Sequence, residues 1–242
     1  MLRRRLPLLF VLGLAVAAFA VEGFVLLRTA KVDEEHIYRQ ELKMKSDGIE
    51  LTFLGKVTER ITTVEGDIIT STMTMRPEKM TVEGEEIDLT DTDEMVEKST
   101  FTAKSNGETV KIEQEASDDE DKDAEASLEE DYRIAQVLSV ILDASPRKIG
   151  DKWTVALKAS DNGARVGSAT YEVVSEETVA GIDCLKVSID SKETEGETPM
   201  EATGHQWIAK QGGLNVKSDF KVKNLPILGE VLEATILTEL AP

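Results

Sequence analysis

The sequence predicts a mainly β protein: one curled antiparallel sheet of sequential hairpins, covered by one central helix. Three observations predict it. Residues 34–112 alternate apolar and polar side chains with period two, broken by turn residues. Residues 145–241 repeat that style. Between them lies a single stretch whose apolar residues recur at helical spacing.

In the first block, ELTFLGKVTERITTVEGDIITSTMTM turns at Glu65-Gly66-Asp67, and KMTVEGEEIDL turns at Glu83-Gly84-Glu85. STFTAKSNGETVKIEQ turns at Asn106-Gly107, a pair that tolerates positive φ at both positions and so favours a two-residue hairpin. In the later block the turns fall at Asp161-Asn162-Gly163, Ala180-Gly181 and Gly212-Gly213, and a last strand covers about Val231–Leu240. Hairpins in succession make an antiparallel meander, since parallel strands would need long crossovers.

The middle differs. Residues 113–144 hold 12 acids against Lys122 and Arg133. Residues 113–127 read as a solvated acidic loop. The next stretch predicts a helix over 128–143, its stripe formed by Ile134, Val137, Leu138, Ile141 and Leu142. Ser127 is the expected N-cap, Glu130 its capping-box partner, and Pro146 the limit of the far end.

Each strand is expected to have one wet and one dry face. Phe220 and Val222 oppose Lys221 and Lys223; Leu185, Val187 and Ile189 share a face. Tyr171 goes with Ala169 and Val173, Trp207 with His205 and Ala209, and Met73 and Met75 with Ile69. A long sheet with one dry face must curl, and one apolar helix is available to cover it.

The chain opens MLRRRLPLLFVLGLAVAAFA: Arg3, Arg4 and Arg5, an apolar run Leu6 to Val21, and the small-x-small pattern Ala18-Phe19-Ala20. This reads as a secretory signal peptide over residues 1–20. Phe24-Val25-Leu26-Leu27 resumes the apolar character, so the alternative is an uncleaved anchor reaching about residue 28. The remainder, 31–242, is expected to be a single domain made of halves 34–112 and 145–241. The expected location is periplasmic or extracellular. Cleavage after Ala20 would remove three arginines and take the formal charge from −19 to −22, which disfavours nucleic acid and anionic headgroups over the protein as a whole. With one cysteine, Cys184, no intramolecular disulfide can form.

Gly150-Asp151-Lys152-Trp153, then Val179-Ala180-Gly181-Ile182-Asp183-Cys184 before an alternating strand, then Trp207-Ile208 before the Gly212-Gly213 turn, form a pattern over residues 145–240. It resembles exported bacterial proteins of the lipoprotein-carrier (LolA/LolB-like) superfamily and related secreted families. The resemblance implies a half-barrel whose apolar concave face is closed by helices and holds acyl chains. The acidic loop is a departure from that pattern, and helices typical of the N-terminal part of carriers are missing from this sequence.

No enzyme motif is present, and no catalytic residue or cofactor is expected. Acids at Asp119, Asp121, Asp123, Glu125 and Glu130 imitate calcium-loop spacing, but Ala124 stands where the loop needs glycine. The expected reading is a solvated spacer, with no metal site. His36 and His205 lack metal-ligand spacing. The leading functional expectation is a hydrophobic ligand, such as a lipid or acyl chain, bound on the concave face. Its expected lining is Met73, Met75, Tyr171, Val187, Trp207 and Phe220, with Leu138 and Ile141 from the helix. The alternative is a cell-envelope module with a filled core, meeting a basic protein partner through residues 113–127.

Overall fold

The computed structural model describes residues 23–46, 48–92, 96–114, 123–227 and 230–241. The leader and the acidic residues 115–122 lie outside them, and with the latter Asp119 and Asp121 of the calcium-like loop.

Among the described residues twelve strands and one helix follow in order. The first half holds β1 (Glu35–Ser46), β2 (Ile49–Glu65), β3 (Ile68–Val82), β4 (Glu85–Asp88), β5 (Glu97–Lys104) and β6 (Thr109–Gln114). After α1 (Asp123–Leu138) come β7 (Lys152–Leu157), β8 (Gly167–Val179), β9 (Ile182–Glu193), β10 (Glu201–Ala209), β11 (Asn215–Ile227) and β12 (Glu230–Leu240). All strands belong to one antiparallel sheet of order β6-β5-β3-β2-β1-β12-β11-β10-β9-β8-β7, with β4 attached to β3. The two halves join through β1 and β12, Leu42 facing Ile236 and Met44 facing Ala234. The sheet is open: β6 and β7 are its ends and do not pair.

Turn chemistry builds most hairpins as the residues dictate. Ala180 and Gly181 both take positive φ, 49° and 78°, the geometry whose twist matches flanking strands. Asn106-Gly107 differs: only Gly107 is left-handed, at φ 90°. Asn106 instead accepts the Glu108 amide on Oδ1 (3.0 Å), and its carbonyl accepts the Leu142 amide (2.9 Å). A Cβ on Gly107 would meet the Val140 carbonyl oxygen at 2.3 Å. This turn is therefore shaped by the chain packed against it.

That contact proves the curl. The Leu138 carbonyl accepts from Gln206 on β10 (3.0 Å), and the Ser139 carbonyl from Tyr171 on β8 (2.9 Å). The Leu142 amide reaches the β5–β6 turn. In a flat sheet β5 and β8 would stand about 38 Å apart, eight spacings of about 4.8 Å. Three residues span at most about 11 Å, so even with the reach of Tyr171 the sheet must wrap around this segment.

The helix runs over 123–138, not 128–143. Ser127 lies inside it and is not its N-cap. The far end is set eight residues before Pro146. Ser139 Oγ turns back to the Ala135 carbonyl (2.6 Å), a local bond that competes with helix continuation. The carbonyls of Leu138, Ser139 and Ile141 are taken by Gln206, Tyr171 and Trp153 Nε1 (2.8 Å) from the sheet. Val140 and Leu142 are still buried, but from an extended segment.

Residues 24–29 form a strap across the end where β2–β3, β5–β6 and β10–β11 turn. Phe24 bridges Arg147, the Arg28 amide bonds Ser105, and the Thr29 amide bonds Gly212. Leu26 is 1% exposed. A Cβ on Gly213, which sits at φ 61°, would strike the Leu26 carbonyl oxygen at 2.3 Å. Of the apolar Phe24–Leu27, which in sequence could extend an anchor, Phe24, Leu26 and Leu27 pack against the body of the protein and Val25 is exposed.

Candidate functional site

Cross-strand register places one continuous inner face across the sheet. From Phe220 it passes through Gly204, Ile189 and Tyr171 to Trp153. In the other direction it passes through Ile236, Leu42 and Phe53 to Met80. A parallel rank runs Leu240, Tyr38, Val57, Met75.

The two halves of this face differ. On β8 to β11 it is sealed: Tyr171, Val173 and Val187 are fully buried, as is Val137 of α1. On β2, β3 and β5 it is covered only in part: Val57, Glu59, Ile61, Ile69 and Ser71 are buried, while Leu51, Phe53, Met73, Met75, Met80 and Phe101 keep partial solvent access. Phe53 and Leu42 pack against the main core, so the half-covered surface is continuous with it.

Of the expected lining, Tyr171, Val187, Phe220, Leu138 and Ile141 meet in that main core. Met73 and Met75 lie on the same face in the other half, outside the core cluster. Trp207 is a correction. It packs with Cys184, Ala209 and Val216 in a second cluster, and its register partner Lys186 is next to the inward-facing Val187 and Leu185. It therefore belongs to the outer face, apart from Phe220. Lys186 and Lys217 ammoniums stand 4.6 and 5.5 Å from its ring, and its Nε1 donates to Glu177 (2.6 Å). Period-two alternation groups residues by face but does not say which face is inside. An outer tryptophan covered by lysine stems is buried as well as a core one.

Cys184 is buried in this second cluster, and burial raises its thiol pKa. His205 bonds Asp219 (3.0 Å) and is four residues along β10 from Ala209, the partner of Cys184. That separation, about 13 Å, removes any cysteine–histidine pair. Among the described residues no group of three metal-ligating side chains occurs, and no helix is long and apolar enough to cross a membrane.

Two charged clamps position the elements over the inner face. Arg133 of α1 forks onto Glu193 through Nε (2.9 Å) and Nη2 (2.8 Å), with 5% and 0% side-chain exposure. Glu193 also accepts the Met200 amide (2.7 Å), and Arg133 reaches the Thr198 carbonyl (3.1 Å). Arg28 of the strap forks onto Glu59 of β2 (2.8 and 2.7 Å). Burial, and then the Glu59 charge, pushes the Tyr38 hydroxyl pKa upward beside it. Sequence reading missed both clamps, because the partners are 60 and 31 residues apart.

A third contact is acidic. Asp131 of α1 accepts from Gln114 of β6 (3.0 Å) and faces Glu97 of β5. Burial raises the Asp131 pKa, with Glu130 adding to it, while the Gln114 bond opposes. Burial and the Asp131 charge raise Glu97 too, although that side chain is largely exposed and contributes less. A carboxyl raised on folding binds its proton more tightly in the native state. Stability is then full below the unfolded pKa and declines as pH rises through the folded one. Asp131→Asn is expected to raise the melting temperature at pH 7 and to flatten its decline above about pH 4; an unchanged pH profile by calorimetry would refute this.

The arrangement is thus an open antiparallel half-barrel around one helix, sealed on one half of its concave face and apolar but half-covered on the other. No protein-family model and no curated protein matches the chain. Solved structures do. One, described as exported and of YmcC-like fold, from Bacteroides fragilis, is 11% identical over 91% of this chain and 100% of its own, with TM-score 0.32. The hypothetical lipoprotein YmcC from Escherichia coli K12 is 13% identical over 89% and 91%, with TM-score 0.33. A DUF1329 family protein from Desulfovibrio piger is 12% identical over 86% and 84%, with TM-score 0.24.

Proposed function

We propose that this is an exported, non-catalytic protein that binds a hydrophobic ligand, such as a lipid or acyl chain, on the concave face of its sheet. The observation that supports this reading is the asymmetry of that face. Behind α1 the protein fills its own interior. On β2, β3 and β5 the same face continues as half-exposed Phe53, Met73, Met75, Met80 and Phe101. Unbranched methionines adapt to chains of varied shape. Covering such a surface with an acyl chain gains about 25 cal/mol per Å² of apolar area removed from water. The proposed lining therefore keeps Met73 and Met75, adds Phe53, Met80 and Phe101, and assigns Tyr171, Val187 and Phe220 to the core.

Native mass spectrometry of protein purified from its host is expected to show a lipid adduct. Met73→Asp with Met75→Asp is expected to remove the adduct and to weaken palmitate binding at least about tenfold, since each change charges a site an apolar chain would cover. Protein that is consistently ligand-free and insensitive to this pair would overturn the reading. The packed β8–β11 half favours the second reading, an envelope interaction module with a basic partner at residues 113–127. A pull-down that depends on those residues, from protein with no lipid adduct, would select it.

A further inference from the structure

The outer face carries its own pattern. Register aligns Lys186, Trp207, Lys217, Glu239, Arg39, Lys56 and Arg76 as one cross-strand row from β9 to β3. Five of these seven are cations, in a chain of formal charge −19. At its β1–β3 end, Arg39, Lys56 and Arg76 stand side by side. Like charges directly opposite one another destabilise a sheet, and here Lys56 faces a cation on each side.

The next rank along β2 and β3 is Thr58 and Thr74, two residues or about 6.7 Å away. It opens an outer hollow of about 480 Å³. Thr58, Thr62, Thr72 and Thr74 line it together with Asp33, Glu35 and Arg60, and Arg60 stands between Thr58 and Thr62 on β2, opposite Thr72. All seven side chains are polar. Arg60 is held by Asp33 at 2.7 Å. Thr62 donates to the Thr70 carbonyl (3.1 Å), whereas among the described residues the hydroxyls of Thr58, Thr72 and Thr74 take no partner within the protein.

We propose that this hollow and its cationic rim bind an anionic saccharide, a sugar bearing a sulfate, phosphate or carboxylate group. Each threonine hydroxyl donates once and accepts twice, and the carboxylates accept only. That mixture matches a polyol, whose hydroxyls both donate and accept. Asp33 and Glu35 would repel a bare polyphosphate. Arg39, Lys56 and Arg76 supply charge-assisted bonds to one anionic group about a sugar ring's width from the hydroxyl contacts. The site is on the face opposite the proposed lipid surface and is independent of it.

The test uses the folded chain, a disaccharide carrying one sulfate, neutral maltose and inorganic sulfate, read by amide chemical shifts and calorimetry. The disaccharide is expected to shift the amides of Thr58, Thr72 and Thr74 and to bind at least about tenfold more tightly than maltose or sulfate. Arg39→Gln with Lys56→Gln, and separately Thr72→Val with Thr74→Val, are each expected to weaken it about tenfold, with melting temperatures held. Sulfate binding as well as the disaccharide, or affinity indifferent to the threonine pair, would reduce the site to a charged patch and overturn the proposal. So would the absence of any shift at millimolar disaccharide.

Discussion

Glu193→Ala is expected to destabilise the protein by about 3–5 kcal/mol, the range for removing one partner of a buried ion pair. The Arg133 guanidinium would remain at 5% exposure with only the Thr198 carbonyl to meet it. The Met200 amide would also lose its acceptor. The loss comes from the stranded charge rather than from the attraction forgone. Arg133→Met with Glu193→Leu removes both charges and is expected to cost only about 1–3 kcal/mol, the loss left by the Met200 amide without its acceptor. Urea unfolding of the two variants separates these outcomes, and equal losses in both would show that the pair itself holds the helix. The single variant should also loosen α1, because Arg133 is its buried tie to β9 and the loop after it.

Arg28→Ala is expected to cost about 2–3 kcal/mol, less than the Glu193 change because Arg28 is 26% exposed and partly screened. Glu59 would be left at 7% exposure without its fork. The local effect should exceed the global one. The strap is held by the Arg28 and Thr29 amides to Ser105 and Gly212 and by Leu26 in the core. Hydrogen exchange at those two amides is expected to accelerate well before the sheet opens. Protection unchanged from the parent protein would show that Leu26 and the Phe24–Arg147 bridge suffice.

The strands were legible because each has a period-two pattern bounded by residues that turn the chain for local reasons. Gly181 and Gly84 mark their turns because glycine takes positive φ freely, and the hairpins hold Ala180 and Glu83 left-handed beside them. Helix limits were less legible. The stripe through Ile141 and Leu142 keeps its apolar character after the helix ends, since an extended segment can bury the same residues once Tyr171 and Trp153 take its carbonyls. Periodicity cannot register a hydrogen bond arriving from 32 residues away.

The same limit governs the site. Met73 and Met75 were identifiable as one face of β3, but their partial exposure follows from where α1 stops covering the sheet. Trp207 was grouped correctly with His205 and Ala209 and still belonged outside. The row Arg39–Lys56–Arg76 exists only through register, in residues 17 and 20 apart in the chain.

By itself, then, the sequence determined the β class, the hairpin order, the single helix and the two-faced strands, because these rest on interactions between residues near in the chain. Tertiary structure decided that β1 and β12 join the halves into one open sheet, that the wrap seals only one half of its concave face, and that two distant ion pairs clamp strap and helix across it. Those outcomes depend on register and on burial by remote segments, which no local pattern encodes.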